Sequence, residues 1–269
     1  MSVGHYENFP VASILLPARL RRPIATIYHF ARSADDIADE GDGDSAARLA
    51  GLDAYRVELA RIERNEPAQS PLFVSLNAVI RDHRLPLRAF YDLLDAFSQD
   101  VVKKRYATFD ELLDYCRRSA NPVGLLMLHL YDAATSENIR RSDAICSALQ
   151  LINFWQDIEV DLAKNRIYIP GEDLERFRVP EDQLSRGEVG GRFSELMLFE
   201  IDRARRMLES GAPLALALPG RIGFELRMIV QGGLRIAEKL ALLRGNVFHR
   251  RPVLRPYDWL VMASRAWRM

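Results

Sequence analysis

Two stretches of the chain carry aspartates at helical spacing: Asp35 with Asp39, and Asp157 with Asp161, each pair four residues apart. On a helix that interval stacks both carboxylates on one face, where like charges repel by roughly 0.2–0.5 kcal/mol unless a cation intervenes. Each pair has polar company in register. Tyr28 and Arg32 lie seven and three residues before Asp35, and Gln150 and Asn153 lie seven and four before Asp157. Hard cations that take oxygen ligands, Mg2+ above all, suit Asp and Asn and usually share a substrate phosphate. Four carboxylates facing one another across a helical bundle could hold about two or three Mg2+ ions, with a diphosphate as the natural completing ligand. Arg32 and Arg166 are placed to add bidentate contacts to phosphate oxygens. The chemistry that follows is metal-assisted departure of diphosphate. The carbocation left behind needs a dry pocket with π faces, and Phe9, Tyr28, Phe154 and Tyr168 are candidates for that wall. Competing metal architectures fail: none of the five histidines has Glu three residues before it, and zinc-type Cys/His spacing is missing. A phosphate-binding Gly-x-x-x-x-Gly-Lys loop is missing too.

The elements that must position these residues read as helices. Between Ala148 and Pro170 the polar stripe Gln150, Asn153, Asp157 and Asp161 alternates with Leu149, Leu151, Ile152, Phe154, Trp155, Ile158 and Leu162. A polar stripe on an otherwise apolar helix faces something other than bulk water. A second helix is expected from about Arg22 to Glu40, with Pro23 in its first turn and Ile24, Ile27, Phe30, Ala34 and Ala38 on its core face. Six of the ten residues from Asp35 to Asp44 are acidic. Acids crowded at a helix C-terminus oppose its dipole, and a broken local rule of that kind marks a functional site. A solvated acidic loop accounts for Asp42 and Asp44, but poorly for Asp35 and Asp39.

Further helices are expected over Ser45–Arg64, Pro71–His83, from Pro86 onward, Phe193–Glu209, Pro213–Leu243 and Tyr257–Met269, with loop and short helix over Glu172–Arg192. Thr108 and Glu111 suggest a capping box. Lys103 to Arg105 could meet phosphate, although a basic run is more often a solvated face. Between Ser119 and Gly124 small residues and Pro122 break the pattern and would let the backbone come close to a ligand. His129, in an apolar segment, reads as a core histidine.

Strand and hairpin signals are nearly absent, as are repeats and linkers, so residues 1–269 are expected to form one all-α domain. The chain is 48% hydrophobic and 28% charged, with 37 basic and 37 acidic residues, which argues against a nucleic-acid surface. Two isolated cysteines, Cys116 and Cys146, fit a reducing compartment and small buried thiols. No signal peptide or membrane-spanning run is evident, so a cytoplasmic protein is expected, with loose attachment to a bilayer surface left open.

These residues resemble the squalene/phytoene synthase family, the trans-isoprenoid enzymes that join two prenyl diphosphates head to head. Tyr28-His29-Phe30-Ala31-Arg32-Ser33-Ala34-Asp35-Asp36-Ile37-Ala38-Asp39 looks like the family's first aspartate motif. Gln150 to Asn153, Asp157-Ile158-Glu159-Val160-Asp161 and Asn165 to Tyr168 look like the second. The resemblance runs from His5 to Arg251-Pro252 and implies an isoprenoid-synthase-type bundle around a central cavity. Chain-elongating prenyltransferases differ, because their second motif begins with a doubled Asp.

Within the family, three stretches are similar to the bacterial hopanoid-pathway branch that forms hydroxysqualene: Gly4-His5-Tyr6-Glu7-Asn8-Phe9-Pro10, Ser119 to Gly124, and Asn153 to Asp157. That likeness implies presqualene diphosphate as substrate, Mg2+ as cofactor, and water as the final nucleophile, alongside other hopanoid-pathway enzymes. Asp35, Asp39, Asp157 and Asp161, assisted by Asn153, would hold metal. Arg32 and Arg166 would clamp diphosphate. Tyr28, Phe154 and Tyr168 would line the cation pocket, with Tyr6, Phe9 and Gln150 beside substrate and Ala120 and Gly124 shaping the tail channel. Most members carry Arg or Lys where this chain has Gln156. The expectation is that Gln156 and Asn153 lie near a pocket that admits a water. Lacking a dinucleotide-binding glycine motif, the chain is expected to need no NADPH. The sister reading is condensation of two farnesyl or geranylgeranyl diphosphates to presqualene diphosphate, squalene or phytoene. A non-catalytic scaffold member would typically have lost motif aspartates, and all four are intact here.

Overall fold

A computed structural model of the chain describes residues 17–40, 43–248 and 251–269. Tyr6 and Phe9 lie outside them. The first acidic stretch ends helix α1 (Ala18–Asp39), whose buried face is Leu20, Ile24, Ile27, Phe30, Ala34 and Ala38. It starts four residues before the expected Arg22, so Pro23 sits inside it rather than in its first turn. Three helices pack around it: α2 (Ser45–Glu63), α3 (Pro71–His83) and α4 (Leu87–Val102). Asp44 caps α2, its carboxylate accepting from the Ala47 amide at 2.8 Å. Phe30 is the hub of this half-core, meeting Phe73 and Phe90 edge-on at 5.8 and 5.2 Å between ring centres.

Two short helices follow, α5 (Phe109–Ser119) and α6 (Asn121–Leu130). They break at Ala120, as Pro122 and the small residues led one to expect. Thr108 Oγ1 caps α5 by accepting from the Glu111 amide at 3.2 Å. The Glu111 carboxylate reaches back to the Ala107 and Thr108 amides. Gly124 is where α6 meets the next helix, α7 (Ser136–Gln156): a Cβ there would lie 2.7 Å from Cys146 Sγ and collide with Ser142 Oγ.

Helix α7 is the axis of the second half-core, with Trp155 fully buried. Around it pack α5, α6, α11 (Gly191–Gly211), α12 (Leu214–Ala217) and α13 (Gly220–Leu242). Helix α8 (Ile158–Ala163) continues its line, α9 (Gly171–Phe177) and α10 (Glu181–Ser185) follow, and α14 (Pro256–Arg268) packs on α13. The stretch expected as one helix over Pro213–Leu243 is two. Leu218, preceding Pro219, is extended (φ −79°, ψ 135°), the conformation that a following proline enforces. Among the described residues there is no strand, only one isolated parallel bridge between Arg105 and Ile167. The fold is all-α, and no described helix is long and apolar enough to cross a membrane.

Candidate active site

The second acidic stretch is not one continuous helix. Helix α7 ends at Gln156, Asp157 leaves helical geometry (φ −110°, ψ 15°), and α8 begins at Ile158. Two hydrogen bonds carry the register across the break: the Asp157 amide donates to Asn153 O and the Asp161 amide to Asp157 O, both at 2.9 Å. The turn then tightens at Asn165, whose φ is +57°, and the Arg166 amide returns to Asp161 O at 2.8 Å. That return aims Arg166 across to α1.

There it joins the two acidic stretches. Arg166 Nη2 and Nη1 donate to Asp39 Oδ1 and Oδ2 at 2.5 and 3.0 Å, and Lys164 Nζ donates to Asp39 Oδ2 at 2.9 Å. Burial alone would raise the Asp39 pKa, but the hydrogen bonds and charges of Arg166 and Lys164 outweigh it and hold the carboxyl well below its ordinary range. The other carboxylates have different partners. Arg32 bridges Asp35, Asp36 and Glu40 at 3.5, 2.7 and 3.1 Å. Asp157 accepts from Arg251 Nε and, at 3.1 Å, from Arg251 Nη2. Asp161 has no hydrogen-bonding or ion-pairing side-chain partner among the described residues. Burial first, then the charge of Asp157, push its pKa up to about 7. Asn153, one turn before Asp157, likewise has no side-chain partner among the described residues.

The donor set fits a hard divalent ion. It is all oxygen, and Asp161 beside Asp157 is a carboxylate short of positive charge. Among the described residues no three Asp, Glu, His or Cys side chains converge to hold a metal by themselves. Mg2+ ordinarily keeps several waters and takes one or two carboxylates together with substrate phosphates. The four surrounding cations, Arg32, Lys164, Arg166 and Arg251, could pass from carboxylate to phosphate when such a complex binds.

Beneath this acidic and basic ridge lies a buried polar knot that the motifs do not reveal. Asp100, at the end of α4, accepts from Tyr115 Oη at 2.6 Å and Tyr168 Oη at 3.4 Å, while its carbonyl accepts from Arg166 Nη2 at 3.2 Å. Burial raises the Asp100 pKa to about 6 against the pull of Tyr115 and Arg166. Phe154 stacks on Tyr168 with ring centres 3.8 Å apart and planes 6° from parallel, and Tyr106 stacks on the other side at 5.6 Å. Burial raises the Tyr115 and Tyr168 pKa values, so both hydroxyls keep their protons.

Next to the ridge, an apolar cavity of about 380 Å³ opens between α1, α6, α7, α12 and α13. Tyr28 and Ala31 line it from α1, Gly124 and Met127 from α6, and Ile145 and Leu149 from α7. Asp35 and Asn153 each follow a lining residue by one helical turn, so the ridge stands at the cavity's end.

The sequence-predicted residues therefore divide. Tyr28 and Gly124 line the cavity; Arg32, Asp35, Asp39, Asn153, Asp157, Asp161 and Arg166 form the ridge. Phe154 and Tyr168 belong to the stack under the ridge rather than to the cavity wall. Ala120 and Gln150 are half-buried outside the cavity lining. Gln156, expected near a water-admitting pocket, does not line the cavity. It is buried, 2% exposed, and its amide donates to Pro252 O, which sets the neighbouring Arg251 against Asp157. Lys164, Arg251 and Asp100 were missed. Nothing in the local pattern separates Lys164, Arg251 or Asp100 from its polar neighbours.

The squalene/phytoene synthase family model matches residues 3–258. The hydroxysqualene synthase of Rhodopseudomonas palustris is 36% identical over 262 residues, covering 97% of this chain and 87% of the relative. The 15-cis-phytoene synthase of Synechococcus elongatus is 30% identical, covering 78% of this chain and 71% of the relative. Among solved structures, squalene synthase from Alicyclobacillus acidocaldarius superposes with a TM-score of 0.83 at 38% identity, over 89% of this chain and 90% of that one.

Proposed function

The chain belongs to the squalene/phytoene synthase family, and from that membership we propose that it converts presqualene diphosphate and water to hydroxysqualene, releasing diphosphate. The observation that carries the reading is the Arg166–Asp39 pairing, which brings both acidic stretches to one end of an apolar cavity. The hydroxysqualene synthase named above, similar along nearly the whole chain, supports this branch.

Asp35, Asp39, Asp157 and Asp161, with Asn153, would hold Mg2+ together with the substrate's diphosphate. Bound there, the ion supplies charge that makes diphosphate a better leaving group. Arg32 and Arg166 turn from their carboxylates to the phosphate oxygens and hold the departing group. The prenyl chain lies along Tyr28, Met127 and Leu149, out of water, where a cation survives long enough to rearrange. The Phe154–Tyr168 stack, with the Tyr168 and Tyr115 hydroxyls tied to Asp100, keeps the ridge in place from below. Tyr6 and Phe9 stay in this reading on sequence grounds.

The test is product analysis from presqualene diphosphate and Mg2+, with and without NADPH. The reading requires hydroxysqualene in both, with one diphosphate per turnover. A squalene product that depends on the reductant would refute it. The phytoene synthase similarity favours a second reading, condensation of two prenyl diphosphates. Turnover of farnesyl or geranylgeranyl diphosphate to a C30 or C40 product would establish that one instead. Absence of diphosphate release from all of them would point to a scaffold protein.

A further inference from the structure

Helix α14 buries Met262 and Ala266 yet leaves a second, larger apolar face exposed. A surface helix ordinarily buries its apolar stripe and shows its charges to water. Here the buried stripe also carries charge. Asp258 is fully buried and is paired with Arg235 Nε at 2.7 Å and with Lys239 Nζ, both on α13. Arg265 pairs with Glu238 at 2.5 Å. The outward face carries Trp259, Leu260 and Trp267, which share a helical stripe with Pro256 and Ala263. Leu260 is 76% and Trp267 81% exposed.

The helix runs antiparallel to α13, since Lys239 meets its start and Gln231 Nε2 reaches Met269 at its end. Leu242, 81% exposed, and the exposed Arg244 therefore stand beside the start of α14. Exposed Arg255 and Arg268 bracket the stripe. Exposed tryptophans on one helix face, bracketed by arginines, match the interface of a bilayer, where indole rings sit at headgroup depth and arginines meet anionic lipid.

We propose that the outer face of α14, with Leu242 and Arg244, is a docking surface for an anionic lipid bilayer. It seats the molecule flat on the membrane through ion pairs that keep α14 attached to α13. The strap ahead of α14 is bonded to Gln156 and Asp157, so the membrane-facing helix lies a few residues from the acidic ridge.

The experiment is flotation of the full chain with vesicles of phosphatidylcholine alone or with phosphatidylglycerol added, together with tryptophan emission. The protein should float with the anionic vesicles, with a blue-shifted emission, and dissociate in high salt. The double variant Leu260→Glu, Trp267→Glu should bind about tenfold more weakly or worse. Its far-ultraviolet circular dichroism and cooperative thermal melt should match those of the native chain, which shows that it is folded. Failure of the protein to float, or equal flotation of the variant, overturns the proposal. So does a concentration-dependent dimer in light scattering that the variant abolishes, because a second copy would then cover this face. None of these readouts uses a prenyl substrate, so the surface and the reaction proposed above stand or fall separately.

Discussion

Asp161→Asn should stabilise the metal-stripped protein while removing its response to metal and diphosphate. Burial and the neighbouring Asp157 raise the Asp161 pKa to about 7 from 3.8. A carboxyl whose folded pKa lies above its unfolded one favours folding when protonated. Its contribution is full below about pH 3.8 and is lost as pH rises through about 7. At pH 8 in chelator the ionised carboxylate is therefore a burden. A pKa raised that far would correspond to about 4 kcal/mol in a fully dry site, and solvent screening at this half-buried group reduces that to about 1–2 kcal/mol. The amide keeps the shape and cannot ionise. In a domain of this size the gain is about 3–6 °C in Tm. Scanning fluorimetry in EDTA at pH 8 should show it, and the difference should shrink at pH 6. With saturating Mg2+ and inorganic diphosphate, the native chain should gain about 3 kcal/mol at a hundredfold excess over Kd, and the variant little. A variant less stable than the native chain in EDTA at pH 8, or one that keeps the full ligand-induced gain, would refute the reasoning.

Asp39→Ala leaves Arg166, 8% exposed, without its carboxylate. It should cost about 2–3 kcal/mol by chemical denaturation at pH 7.5, with activity lost. Gly124→Ala drives a methyl against Ser142 and Cys146. Moving α6 off α7 should cost about 1–3 kcal/mol and raise KM more than it lowers kcat. Gln156→Ala strips the buried Pro252 carbonyl of its donor. It should cost about 1–3 kcal/mol and raise KM by freeing Arg251 from its place at Asp157. Steady-state kinetics on presqualene diphosphate check the last two, and an unchanged KM would contradict both.

Much of this was legible from periodicity alone. Helix α3 falls where Pro71 and His83 put it, and the break before α6 falls at the small residues before Pro122. The first acidic stretch showed itself because acids crowded at a helix C-terminus violate the dipole rule, the second because its polar stripe runs along an otherwise apolar helix. What stayed hidden depends on the third dimension. Asp157 leaves the helix, yet the i to i+4 amide bonds preserve its face, so a one-dimensional pattern cannot tell a broken helix from an intact one. Gln156 drew attention because most family members carry Arg or Lys there, but its amide partner, the strap at Pro252, lies 96 residues later. Asp100 is visible only once α4, α5 and the Tyr168 segment meet. The buried Asp258 of α14 needs Arg235 and Lys239 of another helix to explain it.

The central claim is that two acidic stretches, far apart in sequence, grip one diphosphate through shared divalent ions. The direct measurement is an anomalous difference map from crystals soaked in Mn2+ with inorganic diphosphate. The account predicts metal peaks bridging the diphosphate to carboxylates of both α1 and the Asp157–Asp161 turn, with Arg166 moved from Asp39 onto phosphate. Peaks confined to one stretch, or a diphosphate bound elsewhere on the molecule, would contradict it.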